Sequence, residues 1–584
     1  MLGIISFIGF TLLVAGYAWW KTRETDEKSA DGYYLGGRSL GALTIAGSLL
    51  LTNLSAEQIV GLNGQAFSEG ILVMAWETLA AIAMVITAVW FLPKYMKGGI
   101  TTIPEFIEKR FDENTKAILS VLFLIAFSIV LLPTILYSGS LAFSTMFDLP
   151  TILGMSEGAV IWLCVWSIGL IGVVYAIFGG LKAVAVSDLI NAIGLLIGGL
   201  LIPYFGLKLI GDGDMFTGLN TLWTENQDKF NVKGGVTSSI PVGTIITGMM
   251  IAQMYYWGTN QAILQRVFGA KSLKEGQKGM MLAAFVKFLI PVIVVLPGII
   301  AWHLFNGDLS SADNIYPGDD IAYPRLIKEV LPPALVGFFA AVLFGAVLSS
   351  FNSLLNSSAT LFGFDLYKKF FKQDATEQQT VKAGKLFGLL VAVISMSIAP
   401  FIANAPAGLF DYIQQALGSL SVPILAVVII GIVTKKVPAL GAKTVMILGV
   451  VLYLFSLLYL GPNMTESALA ENGLESSKYI NSLKVEDGID TRKAFFESIN
   501  VTDIDAYKEK VKLVEAEAYP HFLHIMGILF VINIIIMLII GLIKPKTDIY
   551  IPETTEVIDT TPWKYAYIVG GLIVLLVLST YLIF

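Results

Sequence analysis

The feature that most limits this chain is its succession of apolar runs. The hydrocarbon core of a bilayer is about 30 Å thick, and a helix needs about 20 apolar residues to cross it. Fourteen such runs occur, at roughly 2–20, 40–62, 71–93, 117–147, 158–178, 184–207, 240–263, 279–304, 333–363, 384–404, 409–433, 441–461, 520–543 and 565–583. In lipid a backbone must satisfy its own polar groups, so these runs read as helices and the chain as an all-α, multi-pass membrane protein. Composition agrees. Of 584 residues, 55% are hydrophobic and 14% charged, against about 25% charged in soluble domains. The first twenty residues lack a basic n-region and a small-residue cleavage site, so they read as a retained helix and not a signal peptide. The basic residues sit in short loops, which leaves nucleic acid no surface to bind. Cys164 is the only cysteine, so no intrachain disulfide forms.

Loop charge orients the spans. Loops 21–38, 94–116, 266–278 and 368–385 carry four, five, four and five Lys and Arg, whereas 63–70, 148–157 and 405–408 carry none. Basic loops stay on the cytoplasmic side. Both termini of this cell-membrane protein are therefore expected outside, and so is the hydrophilic stretch 462–519. That stretch reads as a solvated loop with short helices.

Four ionisable groups remain near membrane depth: Glu57, Glu77, Asp188 and Lys287. Each costs about 2.5–3.5 kcal/mol at a helix centre on insertion scales. They must line water or a solute, or pair with one another. One reading is a Glu77–Lys287 pair that only fixes packing; the other is a solute or ion pathway. Amides gather on other runs. "IAQMYYWGTNQ" supplies Gln253, Tyr255, Tyr256, Trp257, Asn260 and Gln261, "FDYIQQALG" supplies Gln414 and Gln415, and Gln58 follows Glu57. Amides both donate and accept hydrogen bonds, so amides with one carboxylate and one ammonium suit a neutral, hydroxyl-rich solute. Tyr256 can stack on a sugar's apolar face. Taken singly, each amide reads equally well as an interhelical hydrogen bond worth about 0.6 kcal/mol. All six arginines fall in loops or at span ends, so none offers a mid-membrane bidentate grip on a carboxylate.

"TNLSAEQ", inside the second run, is a candidate helix break, because Asn and Ser side chains compete with the helical ladder. Carbonyls freed there, with Ser349 and Ser350 of "LSSFNSLLNSSATLF", make an oxygen-only set that suits sodium. Broken helices at the midplane are the usual ion and substrate sites of secondary transporters. Small residues such as these serine neighbours also simply pack helices. No P-loop, HExxH or GxSxG is present, so neither ATP-driven transport nor membrane hydrolysis has a motif.

The stretches "NLSAEQIVGLNG", "TIPEFIEKRF", "VYAIFGGLKAVAVSDLIN", "MYYWGTNQAILQRVFGAKSLKEGQKG", "AAFVKFLIPVIVVLPGI", "LSSFNSLLNSSATLFGFDLYKK" and "FDYIQQALGSLSVPILAV" span roughly residues 30–435. In that order they resemble the solute:sodium symporter family, and within it the bacterial sodium/galactose branch. The resemblance implies a LeuT-type fold of two five-helix inverted repeats, at 40–207 and 240–433. An extracellular loop, 208–239, joins them. An extra helix and cytoplasmic loop, 1–39, precede them. A further helix, 434–461, the extracellular loop 462–519 and two helices in 520–584 follow. It also implies a sodium-driven sugar symporter, not an enzyme, with Na⁺ as its coupling ion. The sugar site carries over onto Gln58, Glu77, Gln253, Lys287 and Gln414. Tyr256 matches an inner gate stacked on the sugar, with Trp257 beside it, and Leu62, Trp76 and Phe410 match hydrophobic lid positions. Sodium maps onto the carbonyls of Leu51, Leu54 and Ala346 and the hydroxyls of Ser349 and Ser350, and Asp188 onto the sodium exit path. Gln253 stands where the galactose carrier has Asn, and Trp76 where it has Tyr, so no single hexose is implied. Carriers of inositol, sialic acid or an amino acid on the same fold are the rivals, and a solute-gated channel or sensor is a more distant one. Glu57 has no assigned role.

Overall fold

The computed structural model describes residues 2–22, 35–309, 319–404, 409–482, 485–486, 489–499, 501, 503–546 and 558–583. Most of the basic loop 21–38 and the short loop 405–408 lie outside the described residues. Among the described residues, the regular structure is helical apart from a hairpin of two-residue strands, Val485–Glu486 with Ile489–Asp490. Among the described residues, nine helical stretches are long and apolar enough to cross a membrane, or ten if the bent pair Leu273–Leu289 and Pro291–Leu304 is one span. Ile5–Ala18, Ala42–Asn53 and Ala566–Leu582 are shorter apolar helices. Breaks account for part of the difference from fourteen runs: Ala42–Asn53 and Gly248–Thr259 each end at a break and are too short to cross alone.

The elements that matter for function are α1 (Leu2–Thr22), α2 (Ala42–Asn53), α3 (Ala56–Glu69), α4 (Ala75–Ile86), α5 (Glu157–Ile210), α6 (Gly248–Thr259), α7 (Gln261–Phe268), α8 (Leu273–Leu289), α9 (Pro333–Thr360) and α10 (Leu409–Val433). α5 takes in both the fifth and sixth apolar runs in one continuous helical stretch. α2 packs against α5 and α8; α4 packs against α6 and α8; α6 also meets α10. α1 lies on α9 and α5. α3 ends at Gly70, whose φ of +81° is left-handed. A Cβ there would also sit 2.3 Å from the Lys229 carbonyl oxygen, so only glycine fits.

The second run is broken where the sequence predicts, but not by the predicted means. α2 ends at Asn53, and Leu54 turns away with ψ of 58° while its N–H still reaches the Leu50 carbonyl at 2.7 Å. Ser55 is extended (φ −84°, ψ 179°), and α3 starts at Ala56. Ser55 makes no side-chain cap. Instead a hydroxyl from another helix satisfies a freed carbonyl: Ser350 Oγ donates to Thr52 O at 2.9 Å. A second break, which the sequence reading did not identify, separates α6 from α7 at Asn260 (φ −73°, ψ 124°). Here a side chain does cap: the Ala262 N–H donates to Asn260 Oδ1 at 2.9 Å. The available signal was "GTNQ", a glycine and an Asn in an otherwise apolar run.

The stretch 462–519 departs from the expected solvated loop. Its helices include α11 (Gly461–Glu471) and α12 (Ile504–Ala518). Leu469, Ile480, Phe496 and Val511 come together as a small core of their own. α12 turns Ile504, Tyr507, Val511 and Val514 toward this core, and the other short helices close it with one or two apolar residues each.

Candidate functional site

Glu77 lies in the first turn of α4 and is fully buried. Both its oxygens are engaged by side chains from other helices. Gln58 Nε2 donates to Oε1 at 2.5 Å, and Lys287 Nζ, from α8, forms an ion pair with Oε2. A buried charge of either sign is stable only when paired and hydrogen-bonded, and here each is. The two residues that the sequence left as either a packing pair or a site therefore do pair, and Lys287 also forms part of a cavity wall.

That cavity, of about 50 Å³, is lined by Asn53, Gln58, Trp76, Gln253, Tyr256, Lys287 and Gln414, among others. It has room for only a few waters, far below the about 300–1,000 Å³ of a small-molecule pocket. The polar groups are gathered, but the space between them is closed down in this conformation. Gln253 is used within the protein: its Nε2 donates to Trp76 O at 2.7 Å, and its Oε1 accepts from Trp257 Nε1 at 3.2 Å. It thus ties α6 to α4. Trp76 and Phe410 meet edge to face with ring centroids 5.2 Å apart. Tyr256 and Trp257 meet the same way, also at 5.2 Å. Trp76, Tyr256 and Phe410 line the cavity. Trp257 is buried behind it and takes part through Gln253, and Leu62 is buried within α3, off the cavity wall.

Leu51, Leu54 and Ala346 are buried, as are Ser349 and Ser350. Leu51 and Leu54 flank the α2–α3 break, where the last carbonyls of a helix lack intrahelical partners. Ser350 bridges α9 to that break through Thr52 O. Ser349 Oγ is buried without a hydrogen-bond partner of good geometry. These residues thus lie on α2, at its C-terminal break and on α9, two helices that the Ser350–Thr52 hydrogen bond joins.

Asp188, on α5, accepts from Ser48 Oγ of α2 at 2.6 Å and lies 3.9 Å from Arg266 Nη2. Arg266 is the residue that sequence reasoning missed. It stands at a span end, beside a basic loop, and was set aside with the other arginines. The structure buries it completely. Its Nε donates to Ser48 Oγ at 2.8 Å, its Nη1 to Ala262 O at 2.6 Å, and its Nη2 to Ser353 Oγ. The guanidinium so joins α2, α7 and α9, one turn from the serine pair.

The pattern described as the sodium:solute symporter family matches residues 33–449. The chain is 43% identical over 563 residues to "Uncharacterized symporter YidK" of Escherichia coli, covering 96% of this chain and 87% of that one. It is 34% identical over 468 residues to the sodium/glucose cotransporter of Vibrio parahaemolyticus, covering 77% of this chain and 83% of that one. Among solved structures, a substrate-bound, outward-open Na⁺-coupled sialic acid symporter matches with a TM-score of 0.64 at 18% identity, covering 91% of this chain and 98% of that chain. At that identity the likeness is one of fold.

Proposed function

The chain belongs to the sodium:solute symporter family, a sodium-coupled, multi-pass membrane transporter and not an enzyme, and from that premise we propose that its solute is a galactose- or glucose-like hexose. The observation that carries this reading is the grouping of Gln58, Gln253, Lys287 and Gln414 with Tyr256 around one cavity, with Glu77 paired to Gln58 and Lys287. The set is net neutral and rich in groups that both donate and accept, which suits a ring of hydroxyls. The V. parahaemolyticus relative's name supports it.

In this reading the fold is a LeuT-type pair of inverted repeats within fourteen spans, with both termini outside the cell. The two breaks, at Leu54–Ser55 and at Asn260, then stand in the first helix of each repeat. Sodium sits on the carbonyls of Leu51, Leu54 and Ala346 and the hydroxyls of Ser349 and Ser350. It bridges α2 to α9 and holds the outward-open arrangement, in which Gln58 is positioned for the sugar. The sugar then draws Trp76 and Phe410 over itself. Inward opening lets sodium leave past Asp188, and Tyr256 swings to free the sugar. Each ligand must raise the other's affinity by the same factor.

The test is uptake into proteoliposomes under an imposed sodium gradient, with a panel of radiolabelled hexoses, myo-inositol, sialic acid and amino acids. Sodium-dependent accumulation of a hexose is expected, abolished by Gln58→Ala or Glu77→Ala. Ser350→Ala should raise the sodium concentration needed. Accumulation of only an amino acid or sialic acid would overturn the sugar reading. Solute-gated current without accumulation would point to a channel.

A further inference from the structure

The stretch 462–519 and the membrane helices beside it enclose a larger cavity, of about 1050 Å³. Small-molecule sites run up to about 1,000 Å³. The membrane helices contribute Gln415 of α10, Tyr453 of the helix Ala439–Phe455, and Ile525 of the helix Phe522–Ile543. α11 contributes Glu466, α12 contributes Glu515, and Glu475 comes from the chain between them. No lysine or arginine lines the cavity. None of the three carboxylates forms an ion pair with another described residue. Glu515 is held in place by Ser477, whose N–H and hydroxyl donate to it at 2.8 and 2.6 Å. Tyr453 is 1% exposed, and its hydroxyl has no hydrogen-bond partner. That hydroxyl lies against α10 at Gly418, where a Cβ would sit 2.1 Å from it, so the glycine keeps room for it. A buried polar group without a partner is costly, and a donor brought by a ligand relieves that cost.

An anion finds no positive charge in this wall. A metal ion is not served either, because among the described residues no three Asp, Glu, His or Cys side chains are placed to hold one. Separate carboxylates match separate positive charges carried on one molecule. Leu457, Leu474 and Ile525 supply apolar surface for the links between those charges. The Tyr519 ring also lines the cavity, fixed by a 2.7 Å hydrogen bond shared with Ser456, and an aromatic face attracts an ammonium group. We propose that the cavity binds an aliphatic polyamine. Its ammonium groups pair with Glu466, Glu475 and Glu515, and its methylenes lie on Leu457, Leu474 and Ile525. Tyr453 Oη accepts an ammonium N–H on the α10 side. None of the residues assigned above to solute or sodium lines this cavity, so the proposal does not depend on which solute the protein carries. Gln415 follows Gln414 on α10, so the polyamine rests on the helix that also carries Phe410.

The test titrates spermidine calorimetrically into the purified full-length chain in an uncharged detergent. One spermidine per chain is expected. Glu466 and Glu475 are exposed, so the double variant Glu466→Gln with Glu475→Gln folds as the wild type does. It should weaken binding about tenfold, the equivalent of about 1.4 kcal/mol. Tyr453→Phe removes only the unpartnered hydroxyl, and it should weaken binding without lowering the melting temperature. Glu471→Gln with Glu517→Gln removes the same charge from exposed positions outside the cavity. That pair should leave the affinity within about twofold of the wild type. Absence of spermidine binding in the wild type overturns the proposal, and so does wild-type affinity in either cavity variant. An equal loss in the two glutamate pairs overturns it too, because the amine then answers only to overall charge. Mg²⁺ titrated alone is the last arm. Binding of Mg²⁺ that is lost in the Glu466→Gln, Glu475→Gln protein would make this an inorganic cation site and not a polyamine site.

Discussion

Glu77 and Lys287 meet in a place with almost no solvent, and their pairing predicts a particular pattern of mutational cost. Lys287→Met alone leaves Glu77 buried without its cation, which costs about 3–5 kcal/mol. Glu77→Gln combined with Lys287→Met removes both charges and should regain most of the thermal stability of the purified protein. Solute uptake should stay lost in the double variant. Recovery of uptake together with stability would mean that the pair only braces the helices. A second test concerns Arg266. Its guanidinium is buried against Asp188, so Asp188→Asn keeps the shape, and the Ser48 hydrogen bond, but strands the positive charge. A loss of about 3 kcal/mol is expected, read as a lower melting temperature in detergent. An unchanged melting temperature would show that Asp188 is not the group that neutralises Arg266.

The two helix breaks look alike in backbone but differ in what holds them, and this separates two further substitutions. Asn260 Oδ1 accepts the Ala262 N–H, so Asn260→Ala should cost about 1 kcal/mol, the ordinary value of a helix N-cap. Ser55 caps nothing, so Ser55→Ala should leave the melting temperature within a degree or so of the wild type. Equal losses from both substitutions would contradict the geometry. The same pair marks what was legible in the sequence. A polar cluster inside an apolar run announces a break, because lipid offers such groups no partners. That reasoning locates the α2–α3 break and offers the Glu77–Lys287 pair as one of two readings, while Gln58 joins them only through the family resemblance. The agent of the α2–α3 junction was not legible, since the Ser350 hydroxyl that satisfies Thr52 O lies 298 residues away. Arg266 was hidden for the same reason. Its burial is set by Ser48, Asp188 and Ser353, which come from three distant segments. The core of Leu469, Ile480, Phe496 and Val511 is likewise assembled from several short helices.

Across the whole molecule, the cavity proposed for the solute measures only about 50 Å³, so in that reading the structure must open before a solute binds there. α4 carries Trp76 and α10 carries Phe410, and their rings close on each other over the cavity. In the proposed reading, in which these rings form the lid, entry requires the two helices to part. A cysteine at each of these two positions, joined by a short bifunctional thiol reagent, should therefore stop sodium-driven uptake, and cleaving the link should restore it. The background is low, because the one native cysteine, Cys164, is buried. Each single-cysteine variant treated with the reagent is the control for bulk. Sodium binding, measured on the same linked protein, adds a second readout. The proposed sodium oxygens belong to α2, its C-terminal break and α9, none of which carries the link, so ²²Na⁺ should still bind when solute cannot enter. Uptake that continues through a fully formed link would show that the solute does not pass between Trp76 and Phe410. Loss of both uptake and sodium binding would show that α4 and α10 must separate for the ion as well, and that ion and solute share one route into the closed centre.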